Sequence, residues 1–188
     1  MDKPFWAKYR REQLAHVHGE ILEIGVGTGL NLPHYPTHVR KITTADPNPG
    51  MNKRLQRRIA ETEINVDKRV ISSEELPFDN ETFDCVVSTL TLCSIPDREQ
   101  AMGELFRVLR PSGRIHFLEH GISPDAKIAK WQRRLNWLQQ RFSDGCSLLV
   151  DLPKLLATQP FASIEIDNFY MEQTPRTHGY MYRGTAQK

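Results

Sequence analysis

The sequence predicts an α/β protein built on a mostly parallel sheet with helices on both faces. Three observations carry this. Ile21-Leu22-Glu23-Ile24 is a short apolar run that breaks into Gly25-Val26-Gly27-Thr28-Gly29, the pattern of a buried strand ending in a tight loop with few side chains. Lys41 to Asp46 is rich in β-branched residues and ends on an acid, stopped by Pro47 and Pro49, which reads as a second strand. Further apolar runs at 66–71, 85–90 and 114–119 alternate with helical periodicity, as parallel strands joined by crossovers require.

Taken in order, residues 1–18 place Phe5, Trp6, Tyr9, Leu14 and Val17 among Lys8, Arg10 and Arg11. They read as an amphipathic helix covering the site, ahead of a main domain at 19–188; contact of its basic, aromatic surface with anionic lipid is the alternative. A helix is expected to begin near Leu30 with its positive end toward the glycine loop. Met51 to Glu61 reads as a basic helix with Leu55 and Ile59 facing inward.

Val66 to Ile71 is the third strand. Cys85 to Leu90, nearly all of buried types, is the fourth, covered on both faces. Asp97 reads as an N-cap for a helix whose apolar face holds Ala101, Met102, Leu105, Phe106, Val108 and Leu109. Arg114 to Glu119 is the fifth strand and delivers Glu119 and His120 to its carboxyl end. Ala126 to Phe142 is a long helix with Ile128, Trp131, Leu135, Leu138 and Phe142 on one face and Lys127, Lys130, Arg133, Arg134 and Arg141 around it. Its expected role is to cover the sheet, with an anionic bilayer as the other reading. Phe161 to Asp167 and Gly179 to Thr185 close the sheet.

Composition bounds the partners. A chain of 188 residues, 39% hydrophobic, suits one domain. With 25 basic and 23 acidic residues the formal charge is +2, too balanced for nucleic acid as main partner. Cys85, Cys93 and Cys146 are odd in number and lack a Cys-x-x-Cys spacing, so a reducing, cytoplasmic setting and no metal are expected. No apolar run approaches the roughly 18 to 20 residues of a bilayer span, and no signal-peptide pattern opens the chain. Peripheral contact with the inner face of a membrane stays open, as does oligomeric state.

The ligand follows from the loop. Glycines at 25, 27 and 29 let the backbone turn sharply and let a ligand lie against main-chain N–H groups. A dinucleotide fingerprint needs a small residue at position 30, where Leu30 stands. Asp46 ends the second strand about 20 residues past the first glycine, where nucleotide-binding sheets accept hydrogen bonds from ribose hydroxyls. By the same carboxyl-end rule the run Thr91 to Asp97, which Thr89 and Leu90 lead into, lies beside the cofactor, with Thr89 and Leu90 as contacts.

Glu23-x-Gly25-x-Gly27-x-Gly29 resembles the first motif of class I S-adenosylmethionine-dependent methyltransferases. Leu76-Pro77-Phe78, Phe83-Asp84 and the turn Arg107-Val108-Leu109-Arg110-Pro111-Ser112-Gly113, with Ser112 in place of a glycine, resemble later landmarks of the family. The resemblance implies a Rossmann-like, seven-stranded sheet with one antiparallel strand, and S-adenosyl-L-methionine as cofactor. It assigns Glu23 to the amino acid end of that cofactor, with Gly25, Gly27 and Gly29 beside it. Many members carry an acid after strand three that contacts the adenine amino group; Ser72 and Ser73 fill that region here, and Glu74 is the substitute. Thr89-Leu90-x-Leu92-Cys93-Ser94, Glu119-His120, Trp131-Gln132 and Asp144-Gly145-Cys146 narrow the likeness to a group that includes the animal membrane-associated thiol S-methyltransferases, over residues 19 to 186.

The implied reaction is methyl transfer to a small, lipophilic acceptor such as a thiol. His120 and Asp144 are the candidates for positioning or deprotonating it, and Cys93, Glu119 and Cys146 for lining its pocket. Two alternatives stay open: an N-methyltransferase acting on phosphatidylethanolamine at a membrane surface, and a non-catalytic cofactor-binding module. An oxidoreductase ranks last, because Leu30 breaks the dinucleotide spacing.

Overall fold

Every residue of strand β1 (Ile21–Ile24) is buried, because β2 (Lys41–Ala45) and β4 (Phe83–Thr89) flank it in parallel and both of its faces are covered. The computed structural model describes residues 4–48 and 52–188; the expectations at Pro49 and Met51 lie outside them. β3 (Asn65–Arg69) pairs parallel with β2, and β5 (Leu109–His120) parallel with β4. β7 (Tyr180–Gln187) runs antiparallel to both β5 and β6 (Ser163–Tyr170). The sheet therefore has seven strands in the order β3-β2-β1-β4-β5-β7-β6, with one strand reversed.

Alternation along the strands sorts side chains to two faces. On one, Leu22, Ile24, Val86, Ile115 and Phe117 pack under α3 (Arg98–Val108) and α5 (Leu152–Leu156) through Met102, Leu105, Val108, Leu152 and Leu156. On the other, Ile21, Ile42, Cys85 and Val87 meet Leu14, Val17, Leu32, Tyr35 and Leu55, the last from α2 (Asn52–Ala60). Farther along that face Trp6 of α1 (Pro4–Leu14) packs on Leu118, Met171 and Met181. Asp97 caps α3 by accepting from the Gln100 amide at 3.0 Å.

Four expectations change. No long helix follows the glycine loop: Leu32–His34 is a single 3-10 turn, because Pro36 forbids its continuation, so the loop has no helix dipole aimed at it. Leu109 leaves the α3 face and starts β5, while the turn after it survives with Ser112 in the left-handed region at φ 66°. The later strands are shifted by a few residues from 66–71, 161–167 and 179–185. The largest change concerns α4 (Ala126–Phe142), whose expected sheet-facing side is exposed: Trp131 by 55%, Leu138 by 40% and Phe142 by 75%. Its buried contacts are made by Ala129 and Gln132. Gln132 Nε2 donates to the Gly121 and Thr177 carbonyls at 2.9 and 3.1 Å, and its Oε1 accepts from the Ser123 amide at 2.8 Å.

Candidate active site

The carboxyl ends of β2, β1, β4 and β5 open on one cleft of about 940 Å³. With neighbouring strands about 4.8 Å apart, three spacings place the ends of β2 and β5 roughly 14 Å from each other. The cleft is long enough to hold two reactants side by side, and its volume lies near the top of the roughly 300–1,000 Å³ range of small-molecule sites.

At the β1 end Glu23 is buried and held by two donors, Asn31 Nδ2 to Oε1 and Tyr35 Oη to Oε2, each at 2.8 Å. Burial pushes its carboxyl up, against the pull of those bonds and of the Arg10 guanidinium. Asn31 also donates to Thr89 Oγ1 at 3.0 Å and accepts from Arg10. Thr89 Oγ1 donates to Gln13 Oε1 at 2.9 Å, and Gln13 Nε2 reaches the Ser88 and His116 carbonyls. A polar chain thus stitches α1 to the ends of β1 and β4 and to the body of β5, and Trp6 and Arg10 of that helix line the cleft.

The glycine loop is shaped by its neighbours. Gly25 sits at φ 62°, where a Cβ would lie 2.3 Å from the Thr91 side chain; Gly27 sits at φ 52°, and its Cβ would meet nothing closer than the Gly25 carbonyl at 3.8 Å. The first glycine is demanded by packing, the second leaves a bare stretch of backbone where a ligand can lie. Asp46 flanks that stretch, accepting from the Gly27 amide at 2.8 Å and the Asn48 amide at 2.9 Å. A bare backbone wall between two carboxylates fits a ligand that carries hydroxyl groups and an ammonium. Gly29, expected beside the ligand, is absent from the cleft wall; a Cβ there would meet Leu55 at 2.9 Å and Leu32 at 3.0 Å, so it serves helix packing.

Ser73 and Glu74 line the cleft beyond β3. The Glu74 carboxylate is already engaged, accepting from the Asp97 amide at 2.7 Å and Ser72 Oγ at 2.8 Å, so it anchors the start of α3 while bordering the site. Leu90 lines the wall in the left-handed region at φ 55°. Glu119, expected in the acceptor pocket, lies fully buried beneath it. It accepts from Ser88 Oγ at 2.6 Å and from the Thr91 and Leu92 amides at 3.0 and 3.3 Å. Its carboxyl is pushed up by burial, and it fixes the 3-10 turn Leu92–Ser94 that presents Cys93.

At the β5 end the cleft wall includes Cys93, His120, Cys146 and His178. His120 Nε2 lies 3.0 Å from Cys146 Sγ, which lies 3.4 Å from Cys93 Sγ and 3.5 Å from Gln139 Nε2. The hydrogen bond between the two thiols, with help from His120 and Gln139, lowers the Cys146 thiol, and the same bond together with burial raises Cys93. Asp144 lines the cleft but is hydrogen bonded to Asn48 Nδ2 at 3.3 Å, across the rim, and not to His120. Sequence reasoning missed Arg10, Gln13, Asn31, Tyr35 and His178. Arg10 looked like one of a run of helix-surface cations, and nothing local marks a side chain whose partners come from other elements.

A methyltransferase domain matches residues 22–117. The thiol S-methyltransferase TMT1A of Homo sapiens is 32% identical over 170 residues, 86% of this chain and 69% of that protein. The phosphatidylethanolamine N-methyltransferase of Cereibacter sphaeroides is 32% identical over 140 residues, 68% of each chain. Among solved structures, the N-methyltransferase NodS of Bradyrhizobium japonicum, in complex with S-adenosyl-L-homocysteine, superposes with a TM-score of 0.70 at 16% identity, over 100% of this chain and 89% of that one. The motif at the β1 end, the seven-stranded sheet and these likenesses converge: the chain belongs to the S-adenosylmethionine-dependent methyltransferases of the methyltransferase domain family.

Proposed function

We propose that the protein transfers a methyl group to a small, lipophilic thiol. One observation carries the reading: the cleft continues past the Gly25–Asp46 end to a second wall made of Cys93, His120, Cys146, Leu148 and Met181. S-adenosylmethionine supplies an electrophilic methyl group on a sulfonium. Asp46 would accept from its ribose hydroxyls, Glu23 would face its ammonium, and the Gly25–Gly27 backbone would lie against it. Such a displacement asks the protein for alignment and a dry path more than for a fixed set of catalytic groups. Trp6 of α1, packed on Met181, lines the cleft together with Leu148, and these side chains give it apolar wall. His120 would take the acceptor's proton, and a thiol, with a reference pKa of about 8.5, needs little help to ionise. The thiol S-methyltransferase likeness supports this choice.

The test is turnover with labelled S-adenosylmethionine against a panel of thiols, amines and phenols. Methylation of apolar thiols ahead of amines is the expected result. Turnover of amines or phenols alone would overturn the acceptor class.

A second reading concerns where the acceptor comes from. α4 carries five cations and no acid over its 17 residues, with Trp131, Trp137, Leu138 and Phe142 exposed. Gln139, at its C-terminal end, lines the cleft together with Ser143 and Asp144 just beyond it. A basic, aromatic helix of this kind suits the interface of an anionic bilayer, and the phosphatidylethanolamine N-methyltransferase relative acts on a lipid by its name. No helix among the described residues is long and apolar enough to cross a membrane. Cosedimentation with phosphatidylglycerol vesicles at low salt, lost in the double variant Trp131→Glu and Phe142→Glu, is the expected outcome. Equal binding to neutral phosphatidylcholine vesicles would remove the electrostatic basis.

A further inference from the structure

The two thiols and the imidazole at the acceptor end are packed more tightly than a pocket lining requires. Cys93 comes from the turn after β4, His120 from the end of β5 and Cys146 from the loop after α4, three separate elements that bring one ligand atom each within 4.8 Å of one another. We propose that Cys93, His120 and Cys146 form a three-ligand site for a thiophilic divalent cation, zinc in the first place, with its fourth position open to the cleft. The assignment of an acceptor thiol to that fourth position rests on the reading above, with the bound cation taking over from His120 the task of ionising that thiol; the cation site itself does not.

Geometry argues for it. Tetrahedral zinc with bonds of about 2.3 Å to sulfur and about 2.0–2.1 Å to nitrogen sets its ligands roughly 3.8 Å apart for two sulfurs and roughly 3.5 Å for sulfur and nitrogen. Two of the observed separations, 3.4 Å between the thiols and 3.0 Å from His120 to Cys146, are slightly shorter than these, and the third lies within 4.8 Å. A cation entering between the three atoms would need only small side-chain movements. Two cysteines and a histidine with one position left over is a ligand set of catalytic rather than closed structural zinc sites, and soft sulfur ligands select zinc over calcium or magnesium.

Charge and burial agree. Coordination would release both thiol protons to solvent, and two thiolates against a doubly charged cation leave a neutral group. His120 is buried, and its Nδ1 has no hydrogen-bond partner among the described residues, so the protein alone does not complete the ring's interactions. Glu119 beneath the Leu92–Ser94 turn and Gln139 against Cys146 hold the ligands in place, the kind of outer support that tunes a metal site. The sequence hid this arrangement, since no two of the three residues are close in the chain.

The experiment is metal content and cobalt substitution of the full chain, purified with a non-thiol reductant. The expected result is about one equivalent of zinc per chain after dialysis, and cobalt absorption showing tetrahedral geometry with a sulfur charge-transfer band. Cys146→Ser and His120→Asn should each weaken zinc by more than the roughly 10–100-fold that loss of a supporting partner costs, while calorimetric binding of S-adenosylhomocysteine, at the other end of the cleft, shows that they remain folded. Zinc far below one equivalent together with a featureless cobalt spectrum overturns the site. So does zinc retention unchanged by both variants, or a Cys93–Cys146 disulfide as the form that persists under the reductant. Full-rate thiol methylation by metal-free protein overturns the assignment of the acceptor thiol to the fourth position and leaves the methyltransferase reading standing. A stoichiometric zinc site in a protein that methylates no thiol upholds the site and overturns the thiol reading, and a cobalt spectrum unmoved by an added apolar thiol overturns the assignment of the fourth position.

Discussion

The amide of Gly27 donates to Asp46 Oδ2 at 2.8 Å, tying the loop after β1 to the loop after β2. One carboxylate therefore shapes the backbone wall and borders the cleft. Asp46→Ala should lower S-adenosylhomocysteine affinity by about 10- to 100-fold, the worth of one charge-assisted hydrogen bond. Calorimetry reads this directly, and an affinity equal to wild type would take Asp46 out of the binding site.

The two glycines that line the wall should fail differently. At Gly25 a methyl group meets Thr91 at 2.3 Å in a left-handed backbone, so Gly25→Ala should unfold at lower temperature, losing at least the roughly 1–2 kcal/mol that a left-handed alanine costs. At Gly27 the methyl points into open space. Gly27→Ala should lose less stability and still bind cofactor poorly. Thermal melts with and without S-adenosylhomocysteine separate the two.

Tyr35 should matter although it does not line the cleft. Its hydroxyl is one of two side-chain donors to the buried Glu23 carboxylate, and its own ionisation is pushed far up by burial and by that carboxylate. Tyr35→Phe leaves a buried oxygen short of a partner, a cost of about 1–3 kcal/mol, and raises Glu23 further. Cofactor binding in the variant should then weaken at a higher pH, on acidification, than in wild type. Identical pH profiles would mean that water replaces the hydroxyl.

His116 gives a stability test with a defined sign. Burial, with the cations Arg114, His18 and His16 nearby, lowers it from near 6.5 to about 4. Between those values the unfolded chain binds a proton that the native chain refuses, so native stability falls as pH drops through that window, by roughly 3 kcal/mol in full. Glu23 and Glu119, raised by burial, act in the opposite direction. The clean measurement is the difference between wild type and His116→Leu in urea midpoints at pH 7 and pH 5, with the shallower dependence expected in the variant.

Local signals made most of the fold legible. β1 with its glycine loop, Asp46 at a strand end and the cap at Asp97 each depend on a few adjacent residues, and such patterns survive in a one-dimensional reading. The misplaced features depend on partners far away in sequence. Glu119 looked like a rim residue because it ends a strand, yet the amides of Thr91 and Leu92 draw it inward. Gly29 fits the loop pattern but answers to Leu55. The apolar stripe of α4 matched a sheet-covering helix in period, and period alone does not say which face is covered.

The peg that holds α4 is a side-chain amide. Gln132 fastens the helix through hydrogen bonds to Gly121, Ser123 and Thr177, and water can stand in for such partners at small net cost. An apolar seam offers no such exchange. Deuterium uptake should therefore reveal α4, whose C-terminal end borders the cleft through Gln139, as the first long helix to detach from the native protein.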